Sequence, residues 1–241
     1  MKVLITGANR GLGLSLVETG LKRGHVIFAG VRSVADRDIT QLQELKKVFE
    51  GQLRILHIDV TNEKSVIEAA KAVKFTDQYV DIIINNAAIL NERDKTIEEL
   101  DIAETLKALD TNTVGPIRVI KHFLPLIRNG ATTDSTSSQS IINISSEAGS
   151  LTNAYAGDYP YGLSKVALNM LTEKLKKYLM EEDIQILSIH PGWMSTDMGG
   201  KKAPKKPMDT ALNIWNLLEN PIHNSSEAFA FFDDELNRME I

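Results

Sequence analysis

The chain of 241 residues has no cysteine. Disulfides, thiolate catalysis and cysteine-ligated zinc are therefore excluded, and a reducing compartment is consistent with the absence. Five histidines are present, His25, His57, His122, His190 and His223, scattered without any H-x-x-x-H spacing, so no metal site is expected. No apolar run approaches the ~18 residues of a membrane helix. The first apolar strand begins almost at Met1, which leaves no charged n-region to read as a signal peptide. The chain accordingly reads as cytoplasmic, with no membrane partner. Basic excess is missing too: a net charge of −5 argues against nucleic acid as the main partner. A G-x-S-x-G elbow is also lacking and no histidine has a triad context, which removes a serine hydrolase.

What is there is a chain 43% hydrophobic, enough for one substantial core. Short apolar strands alternate with amphipathic stretches, the pattern of an α/β doubly wound parallel sheet with helices on both faces. The expected strands are Val3 to Ile5, His25 to Val31, Leu53 to Ile58, Ile82 to Ile84, Ser140 to Ile144, Ile184 to His190 and Ala228 to Phe232. Expected helices run from Gly11 to Arg23, stopped by Gly24, and across the apolar positions Leu42, Leu45, Val48 and Phe49. Another follows a cap at Asn62. A long helical region covers Ile97 to Ile127, bent near Pro116 and Pro125. Further helices cover Pro160 to Glu181 and Thr210 to Leu218, and the polar stretch Thr132 to Ser140 reads as a loop. No repeat or linker interrupts the chain, so residues 1–241 are expected to form one domain of seven strands.

Two motifs carry chemistry. Thr6-Gly7-Ala8-Asn9-Arg10-Gly11-Leu12-Gly13 follows the first strand and opens the first helix. Glycines there let backbone amides approach a pyrophosphate, and the helix N-terminus adds partial positive charge. Its spacing is G-x-x-x-G-x-G rather than G-x-G-x-x-G. The second motif, Tyr161-Gly162-Leu163-Ser164-Lys165, sets a phenol and an ammonium one turn apart on a helix face. A nearby cation favours the phenolate and lowers the pKa from about 10, as general acid–base work requires. Tyr155 and Tyr159 have Tyr159 and Leu163 at the same offset, so Tyr161 alone of these has a cation one turn ahead.

Together these motifs resemble the short-chain dehydrogenase/reductase family over nearly the whole chain, which implies a Rossmann-type fold and hydride transfer. The resemblance makes Tyr161 the acid/base, and Lys165 its partner and a ligand of the nicotinamide ribose. Within Asn143-Ile144-Ser145-Ser146-Glu147-Ala148-Gly149, the S-x-x-G pattern selects Ser146 to hold the substrate oxygen. Its spacing to Tyr161 is slightly longer than common in the family, so the loop around Asn153 to Pro160 is expected to differ. In Asp110-Thr111-Asn112-Thr113-Val114-Gly115, Asn112 resembles the asparagine that supports a proton-relay water; a structural kink is the alternative.

The same resemblance implies cofactor contacts from Gly7, Asn9, Arg10, Gly11, Leu12 and Gly13. It adds Asp59 and Val60 beside adenine, Asp59 otherwise serving as a helix cap. Asn86, Ala87 and Ala88 stand in Asn85-Asn86-Ala87-Ala88, where the family usually has N-N-A-G. Pro191 and Gly192 would close over nicotinamide, with Thr196 at its carboxamide or the diphosphate. An acidic residue after the second strand would repel a 2′-phosphate, but here the strand ends Gly30-Val31-Arg32-Ser33 and the first carboxylate is Asp36. Arg32 and Arg10 thus favour NADP over NAD, with Asp36 and Asp38 read as solvated helix-start residues.

Trp193 to Met208 is expected to form a substrate lid with apolar Trp193, Met194 and Met198 and hinge glycines Gly199 and Gly200. Lys201, Lys202, Lys205 and Lys206 read as a solvated basic run, with attraction of an anionic substrate as the alternative. His190-Pro191-Gly192-Trp193 and Thr196-Asp197-Met198-Gly199-Gly200, with Thr113-Val114-Gly115-Pro116, resemble the branch that contains sniffer-type carbonyl reductases and bacterial C-factor proteins. The branch implies a carbonyl reductase acting between NADPH and an aldehyde or ketone. A dinucleotide-binding regulatory or signalling protein with little turnover is the alternative. A homodimer or tetramer is implied as well, with Leu106, Leu109, Val119, Ile120, Leu168, Leu171 and Leu175 either at an interface or facing the sheet.

Overall fold

A computed structural model describes residues 1–133, 139–220 and 229–241; the side chains of 36–38 and 132–133 lie outside the description. Seven parallel strands form one sheet in the order β3-β2-β1-β4-β5-β6-β7. They are β1 (Lys2–Thr6), β2 (Val26–Val31), β3 (Leu53–His57), β4 (Ile82–Asn85), β5 (Gln139–Ile144), β6 (Ile184–His190) and β7 (Phe231–Asp233). Helices α1 (Gly11–Lys22), α2 (Asp36–Val48), α3 (Glu63–Thr76), α4 (Ile102–Leu109), α5 (Gly115–Thr133), α6 (Tyr159–Tyr178) and α7 (Pro207–Glu219) make the connections. The strand order reverses between β1 and β4, and such a switch point opens a crevice at the carboxyl ends of the strands.

The strands read as continuous apolar runs because both faces are covered. Alternate residues of one strand therefore enter different cores. Val3, Ile5, Ile82 and Ile84 pack with Leu16 and Val17 of α1 and Trp215 and Leu218 of α7. Leu4, Ile83 and Ile141 pack on the other face with Val66 of α3 and Val119, Phe123 and Ile127 of α5. Helices α1 and α7 approach closely because Gly20 lacks a side chain: a Cβ there would lie 2.2 Å from the Trp215 ring. Asn62 caps α3 as expected, accepting from the Lys64 amide at 3.1 Å.

Two expectations change. The region 97–127 is not one helix bent at its prolines. A 3-10 turn (Ile97–Glu99) precedes α4, and a turn of π-helix (Asp110–Val114) separates α4 from α5 just before Pro116, while Pro125 lies inside α5. The last strand is Phe231–Asp233, shifted toward the C-terminus, and Ala228 lies outside the described residues. Residues 134–138 of the expected Thr132 to Ser140 loop and His223 lie outside them too. Of the seven positions left open between an interface and the sheet, Val119, Ile120 and Leu168 are buried and Leu171 and Leu175 pack against a core, while Leu106 alone is strongly exposed. Among the described residues no helix is long and apolar enough to cross a membrane.

Candidate active site

The glycine turn is held from below by the end of β4. The Thr6 hydroxyl accepts from the amides of Asn86 and Ala87, each at 3.1 Å, and Asn86 Nδ2 donates to the carbonyls of Thr6 and Gly7. Gly7 has φ +64, and a Cβ on it would lie 2.9 Å from Ala87 Cα. Arg10 caps α1 without any side-chain hydrogen bond to the first-turn amides. An uncapped helix N-terminus of this kind is suited to an anion.

A crevice of about 1350 Å³ lies over this turn. It is lined by Gly7, Asn9, Arg10, Gly11, Leu12, Arg32, Asp59, Val60, Asn86, Ala87, Ala88, Tyr161, Lys165, Pro191, Gly192 and Thr196, all expected at a dinucleotide site, and by Ser146, expected at the substrate oxygen. Thr196 faces the turn: a Cβ on Gly11 would lie 3.4 Å from its methyl. Gly13 does not line the crevice. It lets α1 settle on the turn, where a Cβ would fall 2.2 Å from the Gly7 oxygen. Asp59 does not cap α3; its Oδ1 accepts from the Thr61 amide and hydroxyl at 2.9 and 2.7 Å. The volume, the uncapped helix and the glycine cradle fit a dinucleotide.

At the far end of the crevice stand Ser146, Tyr161 and Lys165. Ser146 leaves the end of β5, its hydroxyl accepting from the Ala148 amide at 3.2 Å, and it shares the crevice wall with Tyr161, on whose phenol it acts to lower the pKa. Lys165 is buried and donates from Nζ to the Ile144 carbonyl at 2.7 Å, with its ammonium 5.3 Å from the centroid of the Tyr161 ring. Burial pushes the Tyr161 phenol up to about 12, opposed by Ser146 and Arg93 and assisted by Asp158. It pushes Lys165 down to about 7. The phenol thus moves opposite to the direction expected from the Tyr–Lys pair, because desolvation outweighs the lowering by Ser146 and Arg93.

Asn112 lies in the π turn, buried behind these groups and not on the crevice wall. Its Oδ1 accepts from the Ile89 amide at 2.8 Å, and its Nδ2 donates to the Ile89 carbonyl and the Ser164 hydroxyl. That hydroxyl in turn donates to the Tyr161 carbonyl at 2.7 Å. The side chain therefore braces the strand β4 exit against α6.

The segment after β6 lies along the crevice, with residues 193–199 on its wall. Gly199 is packed rather than a hinge, since a Cβ would lie 2.0 Å from the Met194 oxygen; Gly200 has φ +78. Lys205 is not part of a solvated run. Its Nζ donates to both oxygens of buried Asp234 at 2.6 and 2.7 Å. Arg10 pairs with Asp197 of this segment at 3.2 Å, both well exposed.

Sequence reasoning passed over Thr6, Arg93, Asp158 and His190. The last three line the crevice, and His190 Nδ1 accepts from the Glu147 amide at 3.1 Å. Tyr155, set aside for lack of a cation, gives its hydroxyl to Asp158 Oδ2 at 2.9 Å.

A family model described as short chain dehydrogenase matches residues 1–207. The chain belongs to the short-chain dehydrogenase family. An uncharacterised oxidoreductase of Schizosaccharomyces pombe is 35% identical over 218 residues, covering 89% of this chain and 81% of that protein. The carbonyl reductase Sniffer of Drosophila melanogaster superposes with a TM-score of 0.90 at 31% identity, covering 100% of this chain and 99% of the other. An NADPH-bound carbonyl reductase from chicken fatty liver gives 0.89 at 31%, covering 100% and 98%. These carbonyl reductase structures agree with the branch suggested by the His190 to Gly200 motifs.

Proposed function

We propose that this short-chain dehydrogenase reduces aldehydes or ketones to alcohols with NADPH. The observation that carries the reading is that Ser146, Tyr161 and Lys165 line the same crevice as the glycine turn, with the Lys165 ammonium 5.3 Å from the Tyr161 ring. The NADPH-bound carbonyl reductase of the same fold supports the choice of cofactor and substrate class.

Backbone amides of the turn and of the α1 N-terminus would hold the diphosphate, Arg32 and Arg10 the 2′-phosphate, and Asp59 and Val60 the adenine side. Asn86, Ala87, Ala88, Pro191, Gly192 and Thr196 would bound the nicotinamide half. When bound, the dinucleotide supplies the hydride. Ser146 orients the carbonyl oxygen, and Tyr161 gives it the phenolic proton. A phenol held at about 12 is protonated at neutral pH, the form that reduction requires. Donors aimed at an oxygen gaining negative charge favour the transition state over the ground state. Asn112 holds the framework through which Lys165 and Tyr161 are reprotonated, and residues 193–208 serve as the lid over substrate.

The testing experiment is titration with NADPH and NADH followed by cofactor fluorescence, then a carbonyl screen on wild type and Tyr161→Phe. NADPH binding in both, with turnover only in wild type, is expected. A regulatory dinucleotide binder would bind equally and turn over in neither. Binding of neither cofactor would remove the reductase reading.

A further inference from the structure

Asp158 breaks a local rule. It is the residue that caps α6, a place where an aspartate ordinarily accepts a hydrogen bond from a first-turn amide. Here it makes no such bond. Its backbone is left-handed at φ +46, next to Gly157 at φ +111. The carboxylate instead turns toward the substrate end of the crevice, where Oδ2 takes the Tyr155 hydroxyl at 2.9 Å. Oδ1 has no hydrogen-bond partner and is out of contact with solvent beside Arg93 Nε, so a ligand reaches it by turning the Arg93 side chain aside.

Across from it stands Arg93, on the loop that follows β4. That loop is fixed by a second left-handed residue, Glu92 at φ +55, whose carboxylate accepts from the Asp101 amide at 3.0 Å. Arg93 Nη1 donates to the Met198 carbonyl at 3.2 Å, while its Nε stays 3.8 Å from Asp158 Oδ1. The two charges face each other beyond hydrogen-bond reach. Two non-glycine residues in a conformation that disfavours side chains, one forming and one preceding this pair, are the kind of strain found at ligand clamps. A buried acceptor without a donor costs free energy, and a ligand that supplies the donor recovers it.

We infer that Asp158 and Arg93 form a clamp for a substrate hydroxyl, so that the preferred substrates are hydroxylated carbonyl compounds. A hydroxyl fits because it can donate to Asp158 Oδ1 and accept from the Arg93 guanidinium at once. A carboxylate would meet repulsion from Asp158, and an ammonium from Arg93. Tyr155 holds the second carboxylate oxygen and so fixes the direction of the first. Asp158 and Arg93 also act on Tyr161 in opposite senses, which puts the clamp close to the proton donor. This inference rests on the carbonyl reductase reading.

The test compares kcat/KM with NADPH for 2-hexanone and for 2-hexanones carrying a hydroxyl one to four carbons from the carbonyl. Wild type is set beside Asp158→Asn and Arg93→Gln. Asparagine tolerates the left-handed backbone, so the first variant keeps the loop. The ratio of hydroxylated to plain ketone is the readout, which cancels any common effect on Tyr161. For at least one hydroxyl position the ratio should fall about tenfold or more in Asp158→Asn, and fall also in Arg93→Gln. Turnover with ratios unchanged in both variants would overturn the clamp and leave the reductase reading standing. Absence of turnover on every ketone in wild type would overturn that reading, and the clamp with it.

Discussion

Lys165 Nζ donates to the Ile144 carbonyl at 2.7 Å from a position almost wholly out of water. Burial pushes its pKa from 10.5 down to about 7. Between those values the unfolded chain holds a proton that the folded, cofactor-free chain has lost. Through this group, stability therefore rises with pH from about 7 to 10.5, and the cost of the buried ammonium is felt in full below 7. Lys165→Met should raise the melting temperature of the cofactor-free protein by about 5 °C at pH 6, a shift of the size given by one or two kcal/mol. The gain should shrink toward pH 10. Melting curves across this range check it, and a difference that does not vary with pH would contradict it.

Arg32 and Arg10 line the crevice, with Arg10 resting on Asp197 in an exposed pair. An exposed ion pair is worth little, so Arg10 can leave it for a phosphate at small cost. Replacing Arg32 by Ala should weaken NADPH binding about tenfold, the loss of one charge-assisted contact, and leave NADH binding within about twofold. Arg10→Ala should act in the same direction. Fluorescence titration with both cofactors measures this; equal losses for NADPH and NADH would assign the arginines another role.

Gly13 and Gly20 lie on the same helix, α1, but differ in their consequences. A Cβ on Gly13 would meet the Gly7 backbone oxygen, whereas one on Gly20 would meet the Trp215 ring. Overpacking of either costs about 1–3 kcal/mol. Gly13→Ala should also displace the glycine turn, with cofactor affinity falling about tenfold or more. Gly20→Ala should lower the melting temperature by about 2–12 °C, with affinity unchanged. Calorimetry and cofactor titration on the two variants separate these outcomes.

The strands were legible because a strand buried on both faces is apolar throughout, as Ile82 to Ile84 is. The crevice was legible because glycine turns and the Tyr161–Lys165 spacing are local. What was hidden depends on tertiary environment. Burial sets the direction at Tyr161, and no spacing reports burial. Asp158 was passed over, because nothing local in the sequence reports its left-handed φ or the turn of its carboxylate to Tyr155. Lys205 looks solvated in a run of lysines, yet its partner Asp234 lies 29 residues away. The π turn around Asn112 follows from packing against Ile89 and Ser164, which no propensity records.

Lys205 ties the crevice segment to the C-terminal end of the sheet. Its amide donates to the Trp193 carbonyl at 3.3 Å and its carbonyl accepts from the Ser195 amide at 2.8 Å. Its ammonium bonds Asp234, which also takes Asn213 Nδ2 at 3.1 Å. Burial opposes the charge on Lys205, but Asp234 together with Glu235 and Asp233 more than offsets it and raises the pKa. A raised lysine contributes stability below its unfolded pKa and loses it only as pH climbs through the folded value, so the contribution is complete at neutral pH. Lys205→Met strands a carboxylate of 2% side-chain exposure. Breaking one side of a buried pair costs about 3 kcal/mol. Denaturant unfolding at pH 7 should show that loss, and the KM for cofactor should rise as the segment loosens. The double variant Lys205→Met with Asp234→Asn removes the buried charge and should recover part of the stability but not the KM. Recovery of both would mean that Lys205 serves the fold alone and does not position the segment over the crevice.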